Sequence, residues 1–257
     1  MRKDFLDLTC ETDYFSARQT GAILTFSFKG NMLLSSSIIK AKETVLGFFE
    51  SVNRHPEIRV VLLLANPRKA RKEEFLSFFD MVRSARLSRH GVLRMYRAMD
   101  QLMLHILSSD VFFINADCGQ ILPMFVNLAQ ACDYRIIGDN AVFQNPSLEL
   151  GMFPKGGGAW FLTRRLGRQK AFELLLTHAD LSAREATRLG LFDRCVPLKD
   201  FETEAASVAE KFAALPASSL TLAKRLINYA SENIADYLEF ENQELVKTMN
   251  QIHRIEE

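Results

Sequence analysis

The adjacent residues Asp117 and Cys118 suggest nucleophilic chemistry, since a thiol is a nucleophile that a neighbouring side chain can activate. They follow the apolar segment 111–116, and a strand-end aspartate beside a packed thiol explains the pair without catalysis. We favour the second interpretation.

A run of three glycines, Gly156 to Gly158, resembles the loops that cradle phosphate groups. It lacks the preceding strand, the lysine and the Ser/Thr of a P-loop. Close backbone packing at the start of a helix is the better interpretation. The glycines end segment 143–158 (FQNPSLELGMFPKGGG), whose proline and glycine content predicts a long ordered loop of the kind that often carries function.

The cysteines and histidines show no spacing typical of metal ligands, so we predict no metal site. Two of the cysteines lie in apolar segments, which favours reduced, buried thiols in a cytoplasmic protein over disulfides. These residues are Cys10, Cys118, Cys132, Cys195, His55, His90, His105, His178 and His253.

The composition is that of an ordinary globular protein. Of 257 residues, 48% are hydrophobic and 25% are charged, which excludes a disordered or repetitive chain. The formal net charge of +1 provides no overall attraction to nucleic acid or acidic membranes. The amino terminus has no apolar core of a signal peptide, and no apolar run approaches the length of a membrane span.

Basic residues are concentrated in segment 66–97, which contains nine lysines and arginines against Glu73, Glu74 and Asp80. An exposed helical face is the simpler interpretation, and a local phosphate-binding surface is the alternative.

Apolar patterning predicts an α/β fold. Segment 59–65 is a continuous apolar run of strand length, typical of a sheet covered on both faces, and a second buried strand is predicted at 111–116. Strands alternate with helical periodicity, which indicates crossover units and a parallel sheet. Other predicted strands are 22–28 and 134–137. The first predicted helix starts near Ser35 to Ser37, which could cap it, and the second ends near Ala131. Further helices are predicted at 168–178, at 183–189 after the cap Ser182, at 201–215, and in an amphipathic run after Pro216.

The stretch from Ala131 to Pro197 closely resembles the crotonase (enoyl-CoA hydratase/isomerase) family. Its motifs occur in family order: ACDYRI, FQNP, LGMFPKGGG, LTRRLG, LLLT, LSAREATRLGL and DRCVP. Upstream, KGNML resembles the family's K-x-N-A-L. The resemblance implies a spiral of ββα units over residues 1–200 with a helical region at 201–257 in the same fold unit. It also implies homotrimers or dimers of trimers, an acyl-CoA thioester substrate, and no cofactor besides CoA as part of that substrate.

In this family, two backbone N–H groups stabilise an enolate-like intermediate, and two glutamates of the hydratases transfer protons. The Gly-Gly-Gly-Cys-Glu motif falls here on Pro123, Met124, Phe125, Val126 and Asn127. The Met124 N–H could still serve as an oxyanion donor. Pro123 and Phe125 are expected to crowd the pocket. Asn127 replaces the first glutamate, and an amide is no general base.

The second glutamate belongs to the family's Q-P-E, where this chain has Asn145, Pro146 and Ser147. Ser147 could orient a water molecule or bind a substrate. Glu149 is two residues further on, so in an extended backbone it faces the same side and is the nearest replacement acid or base. A surface or ion-paired glutamate is the alternative.

The other oxyanion donor falls near Glu74 by an ungapped count, without a local motif to anchor it. The resemblance places acyl-CoA contacts at Lys29, Leu33, Leu122, Pro123 and Pro146. Lys29 and Lys224 could reach CoA phosphates, although exposed surface lysines are the simpler interpretation. Trp160 is expected to fill core or interface space.

Three functions stay open. The first is an enzyme that acts on an acyl-CoA or acyl-carrier thioester by isomerisation, decarboxylation or thioester chemistry, using Met124 with Glu149, Ser147 or Asn127. The second is a non-catalytic acyl-CoA-binding protein, and the third is a structural subunit with a closed pocket. Two-glutamate hydration is disfavoured, because both glutamates are missing from their motifs.

Overall fold

The computed structural model describes residues 7–30, 35–65, 73, 76–77, 79–81, 84, 88–144, 155–176, 180–229 and 233–255. These residues form two sheets and a set of surrounding helices. The strands are β1 (Cys10–Glu11), β2 (Phe15–Thr20), β3 (Ile23–Phe28), β4 (Val60–Leu64), β5 (Phe112–Asp117), β6 (Gln120–Ile121), β7 (Tyr134–Gly138), β8 (Val142–Phe143), β9 (Leu181–Ser182) and β10 (Arg194–Val196). The helices are α1 (Ile39–Arg54), α2 (Arg89–Ser108), α3 (Pro123–Ala131), α4 (Gly158–Leu166), α5 (Arg168–Leu176), α6 (Ala183–Arg188), α7 (Phe201–Ala213), α8 (Ala217–Tyr229) and α9 (Ile234–Ile255).

The main sheet has seven strands in the order β1-β2-β3-β4-β5-β7-β10. Strands β1, β2 and β3 pair with one another antiparallel, whereas β3, β4, β5, β7 and β10 pair with one another in parallel. This confirms the parallel sheet predicted from the alternation of helices and strands. A small second sheet, in the order β6-β8-β9, lies in the region of α3 and α6.

Strand β4 shows why its sequence is apolar throughout. Val61 and Leu63 belong to the larger hydrophobic core, to which α1 and α2 contribute. Val60 and Leu62 belong to a second core on the other face, which α7 covers. Because successive side chains of a strand point to opposite faces, burial on both sides requires an uninterrupted apolar run.

The first residues of α6 and α1 show whether the predicted helix caps are present. Ser182 caps α6 with a complete capping box, in which its hydroxyl accepts from the Glu185 N–H and the Glu185 carboxylate accepts from the Ser182 N–H. The prediction for Ser35 to Ser37 was wrong, because α1 begins after Ile38 and has no side-chain cap.

Helix α2 overlaps the end of the basic segment 66–97, for which an exposed helical face was predicted without bounds or a buried side. Its N-cap, Ser88, accepts a hydrogen bond from the Gly91 N–H at 3.2 Å. Its apolar side chains recur at helical spacing and are buried, although they lie among arginines: Val92, Met95, Met99, Leu102, Met103 and Ile106. Arg94 and Arg97 are exposed on its outer side, as an exposed helical face requires. The other basic side chains of segment 66–97 lie outside the described residues.

None of the helices in the described part of the chain combines the length and the apolar character that a membrane span requires.

Candidate active site

A cleft lies beside the start of α3; its space is about 560 Å³ when the open solvent at its mouth is included. Most of its described wall is apolar, and Asn127 and Gln144 supply the polar side chains. None of the described residues that line it carries a titratable group. The lining residues are Ile121, Pro123, Val126, Asn127, Phe143, Gln144, Leu162, Leu174, Leu175, Leu181 and Leu191.

Pro123 occupies the first position of α3, where the missing N–H of proline leaves no hydrogen bond unmade and its fixed φ suits the helix. Proline is therefore compatible with the backbone at this position. Phe125 is buried in the larger core and is not among the described residues of the cleft wall. The N–H of Met124, in the first turn, has no acceptor within the helix, and this end of a helix favours negative charge.

Asn127 is 3% exposed, and its side-chain Nδ2 donates to the carbonyl oxygen of Lys155 at 2.9 Å. This bond joins α3 to the glycine run that precedes α4. A carboxylate at residue 127 could not make it unless it were protonated, because a carboxylate has no hydrogen to donate. The asparagine is therefore matched to its partner in the loop.

The glycine run lies close to the Asn127 amide. A Cβ atom added to Gly158 would be 3.2 Å from both Nδ2 and Oδ1 of Asn127, and one added to Gly156 would be 3.5 Å from Nδ2. At Gly157, whose φ is +80°, an added Cβ would be 3.1 Å from the Phe161 ring. Close packing thus accounts for the glycines, as the sequence predicted.

A buried charged cluster lies behind the glycine run; it consists of Asp100, Lys155, Glu241 and Asn242. The Lys155 ammonium lies 3.4 Å from Glu241 and 3.7 Å from Asp100, and Asn242 Nδ2 donates to Asp100 at 2.8 Å. The Glu241 carboxylate accepts from the N–H groups of Gly156 and Gly157. Burial raises the pKa of Asp100 above its ordinary value, although Lys155 and Asn242 oppose the shift.

This cluster was not predicted, although the sequence contains a signal for Glu241. That residue falls on the apolar stripe of α9, at helical spacing from Ile234 and Leu238. A carboxylate on a stripe that faces the core requires a buried partner.

The predicted acyl-CoA contacts do not all meet. Lys29 lines a different cleft, of about 420 Å³, between β3, α1 and α2. It forms an ion pair with Glu11 and donates to the carbonyl oxygen of Thr12. Leu122 is buried and is the N-cap of α3. The predicted residues Leu33, Glu74, Pro146, Ser147 and Glu149 lie outside the described residues.

Lys224 is not the exposed lysine that we expected. Its ammonium is buried, donates to the carbonyl oxygens of Ile106 and Val111 at 2.8 and 2.7 Å, and pairs with Asp133 at 2.8 Å. These contacts tie α8 to the end of α2 and the start of β5. With all three of its donors engaged, Lys224 is a structural residue in this fold.

The other chemical candidates have ordinary surroundings. Asp117 and Cys118 are both buried, and the Cys118 N–H donates to the Asp117 carboxylate, consistent with a packed strand end. Trp160 is partly buried against the larger core, and Arg164 stacks on its ring at 4.3 Å. All four cysteines are free. Within the described ranges, no three His, Cys, Asp or Glu side chains are grouped to hold a metal ion.

Comparisons with known proteins agree with this fold. A probable enoyl-CoA hydratase of Mycobacterium bovis is 40% identical over 120 residues, which are 47% of this chain and 47% of the relative. A probable mitochondrial enoyl-CoA hydratase of Arabidopsis thaliana is 29% identical over 81% of this chain and 68% of its own length. The aligned part thus spans about half the length of the first relative.

Solved structures share the architecture. The enoyl-CoA hydratase of Bacillus halodurans superimposes with a TM-score of 0.76 at 21% identity, covering 91% of this chain and 94% of that one. That of Bacillus anthracis gives a TM-score of 0.74 at 24% identity, covering 91% and 90%. These likenesses establish the crotonase-like fold. The family model described as Enoyl-CoA hydratase/isomerase matches residues 42–256. The chain therefore belongs to the enoyl-CoA hydratase/isomerase family.

Proposed function

We propose that this protein binds an acyl-CoA thioester and acts on it by a route other than two-glutamate hydration. Isomerisation, decarboxylation and thioester chemistry are the reaction classes in question. The observation that carries the proposal is the cleft at the start of α3, which combines an apolar wall with the helix N-terminal turn. An apolar wall suits an acyl chain, and an N-terminal turn suits an oxygen that gains negative charge.

In this proposal the Met124 N–H is one oxyanion donor, and the backbone near Glu74 provides the other. Such preorganised donors contribute roughly 2.7–4 kcal/mol each to transition-state stabilisation. Asn127 borders the cleft and fixes the loop, whereas Glu149, assisted by Ser147, moves the proton. Pro123 lines the cleft and contacts the substrate together with Leu33, Leu122 and Pro146, whereas Lys29 lines the other cleft and is left out of this set. CoA enters only as part of the substrate.

A non-catalytic acyl-CoA-binding or structural role is the alternative. One observation favours it: the described wall of the cleft contains no titratable side chain. The NH2 group of Asn127 is also engaged with Lys155. Under this alternative, acyl-CoA would bind without turnover, or the cleft would stay empty.

Calorimetric titration with a non-hydrolysable acyl-CoA analogue, at two salt concentrations, tests the proposal. We expect micromolar binding that weakens as salt rises, because the CoA phosphates are charged. Leu174→Phe, which adds bulk to the cleft wall, should abolish binding. Leu198→Phe, at an exposed position away from the cleft, should leave binding unchanged.

Absence of both heat and thermal stabilisation at saturating concentrations would contradict binding and leave the structural role. Binding with no turnover in a screen of acyl-CoA substrates would favour the non-catalytic alternative.

We also propose that the chain assembles as a homotrimer or a dimer of trimers and works in the cytoplasm. The exposed apolar side chains of α8 support the assembly. The four free thiols are compatible with a reducing compartment.

A further inference from the structure

We propose that Glu241 and Lys155 are positioning residues, through which the carboxy-terminal helix α9 holds the glycine run and the Asn127 amide in place. Only the ligand-binding test of this inference rests on the proposed function. That Glu241 and Lys155 hold the loop in place is inferred for the protein without a ligand.

Glu241 fixes the backbone immediately before α4. Its carboxylate accepts hydrogen bonds from the N–H of Gly156 at 2.8 Å and of Gly157 at 3.1 Å. Both glycines have φ near +80°, a left-handed conformation that most residues avoid. Gly157 is the N-cap of α4 and has no side chain to cap it, so the anion supplied by α9 stands at the positive end of that helix.

Lys155 connects this anchor to the cleft. Its ammonium faces Glu241 from α9 and Asp100 from α2, and it lies 5.1 Å from the centre of the Tyr96 ring. The carbonyl oxygen of the same residue accepts from Asn127 Nδ2. Any movement of Lys155 therefore displaces the acceptor that orients Asn127.

Stability alone does not account for the cluster. Buried ion pairs are often no more stable than apolar residues of similar size, because desolvation offsets the attraction between the charges. Here two carboxylates share one lysine, and Oδ1 of Asp100 and Oδ1 of Asn242 are buried with no hydrogen-bond partner among the described residues. The arrangement instead specifies a geometry, since the Lys155 carbonyl oxygen holds the Asn127 amide and the adjacent glycines leave little room for a Cβ atom beside it.

The first experiment follows the Asn127 side chain by NMR in protein labelled with 15N-asparagine, with its signals assigned from Asn127→Ala. Glu241→Gln removes the charge of the anchor. Glu239→Gln makes the same change at an exposed residue of the same helix and is the matched control. We expect Glu241→Gln to shift the Asn127 NH2 signals and to speed the hydrogen exchange of residues 155–166, and Glu239→Gln to change neither.

Unchanged Asn127 signals and exchange in folded Glu241→Gln protein would overturn the inference. If that variant does not fold, Glu241→Asp decides. It keeps the charge, but its side chain is one methylene too short to reach both glycine N–H groups. It should shift the same signals, and unchanged signals in this variant would also overturn the inference.

The second experiment measures binding of the acyl-CoA analogue in a double-mutant cycle. We expect Glu241→Gln to weaken binding about tenfold when Asn127 is present and much less in the Asn127→Ala background. Equal weakening in both backgrounds would show that Glu241 does not act through Asn127. If the wild-type protein binds no analogue, the proposed function fails, and the NMR comparison alone decides the positioning.

Discussion

Asn127 shows how one side chain can make a buried site compatible with its surroundings. The cluster behind the glycine run already has two carboxylates for one ammonium. A glutamate at residue 127 would add a third carboxylate and present oxygen to the carbonyl oxygen of Lys155. The amide instead donates a hydrogen bond there and carries no charge. An uncharged amide at residue 127 is thus compatible with the charged cluster on the other side of the loop.

Gly158→Ala tests how tightly the loop packs against this amide. The added Cβ would lie 3.2 Å from both polar atoms of Asn127, so either the side chain or the loop must move. We expect a loss of about 1–3 kcal/mol in the free energy of unfolding, typical of overpacking, together with weaker binding of the acyl-CoA analogue.

Gly47→Ala is the matched control. Gly47 lies on the exposed side of α1, and nothing lies within 4 Å of its added Cβ. That substitution should stabilise the protein by about 0.5–1 kcal/mol, since alanine favours a helix. Urea unfolding of the two variants measures both effects, and equal stability changes would refute the close packing at Gly158.

At the scale of elements, local sequence patterns were sufficient to predict several strands and one helix cap. Strand β4 was evident because burial on both faces makes every one of its residues apolar, and β5 because four of its six residues are apolar. The cap of α6 was evident because its capping box spans only four residues. The bounds and the buried side of α2 were not predicted, because the arginines of segment 66–97 hid the apolar spacing and only an exposed helical face was inferred there.

The buried cluster could not be predicted, because its members come from α2, the segment before α4, and α9. Asp100 and Glu241 are 141 residues apart, and only the packed fold shows that they share Lys155. The same limit applies to the candidate site, which the sequence indicates only through motifs. Met124 and Asn127 follow from their position in the chain, whereas the partner of Asn127 does not.

The charge balance of the cluster predicts how stability depends on pH. Burial raises the pKa of Asp100 above 3.8, so the folded protein holds this proton more tightly than the unfolded chain. The stability that this provides is fully present below about pH 3.8 and is lost as pH rises through the folded pKa. Asp100→Asn should therefore gain stability relative to the wild type as pH rises from 4 to 8, measured by urea unfolding at constant protein concentration.

Asp110→Asn is expected to show the opposite dependence of stability on pH. A hydrogen bond from Arg225 lowers the pKa of Asp110, so its contribution is present above pH 3.8 and is lost as pH falls through the lower folded pKa. The Asp110→Asn deficit should therefore shrink on acidification. Parallel curves for the Asp100 and Asp110 variants would contradict the assignment.

At the scale of the whole molecule, one face of α8 is apolar and is left exposed by the described residues of the single chain. On α8, Leu222, Leu226 and Tyr229 recur at helical spacing and are 58%, 63% and 74% exposed. The other side of the helix is anchored by the buried Lys224, which fixes the direction in which these apolar side chains point. A contiguous exposed apolar surface of this kind is typical of a protein interface.

Leu226→Glu tests the proposed assembly. A carboxylate at the centre of an apolar contact loses its water without gaining a partner, so we expect the homotrimer to dissociate towards monomers. Thr203→Glu adds the same charge at an exposed position of α7 and should leave the assembly intact. Light scattering coupled to size-exclusion chromatography gives the mass of each variant against the 29.2 kDa chain. A wild-type protein that elutes as a monomer would contradict the assembly, whereas a trimer that survives Leu226→Glu would place its interface away from this face of α8.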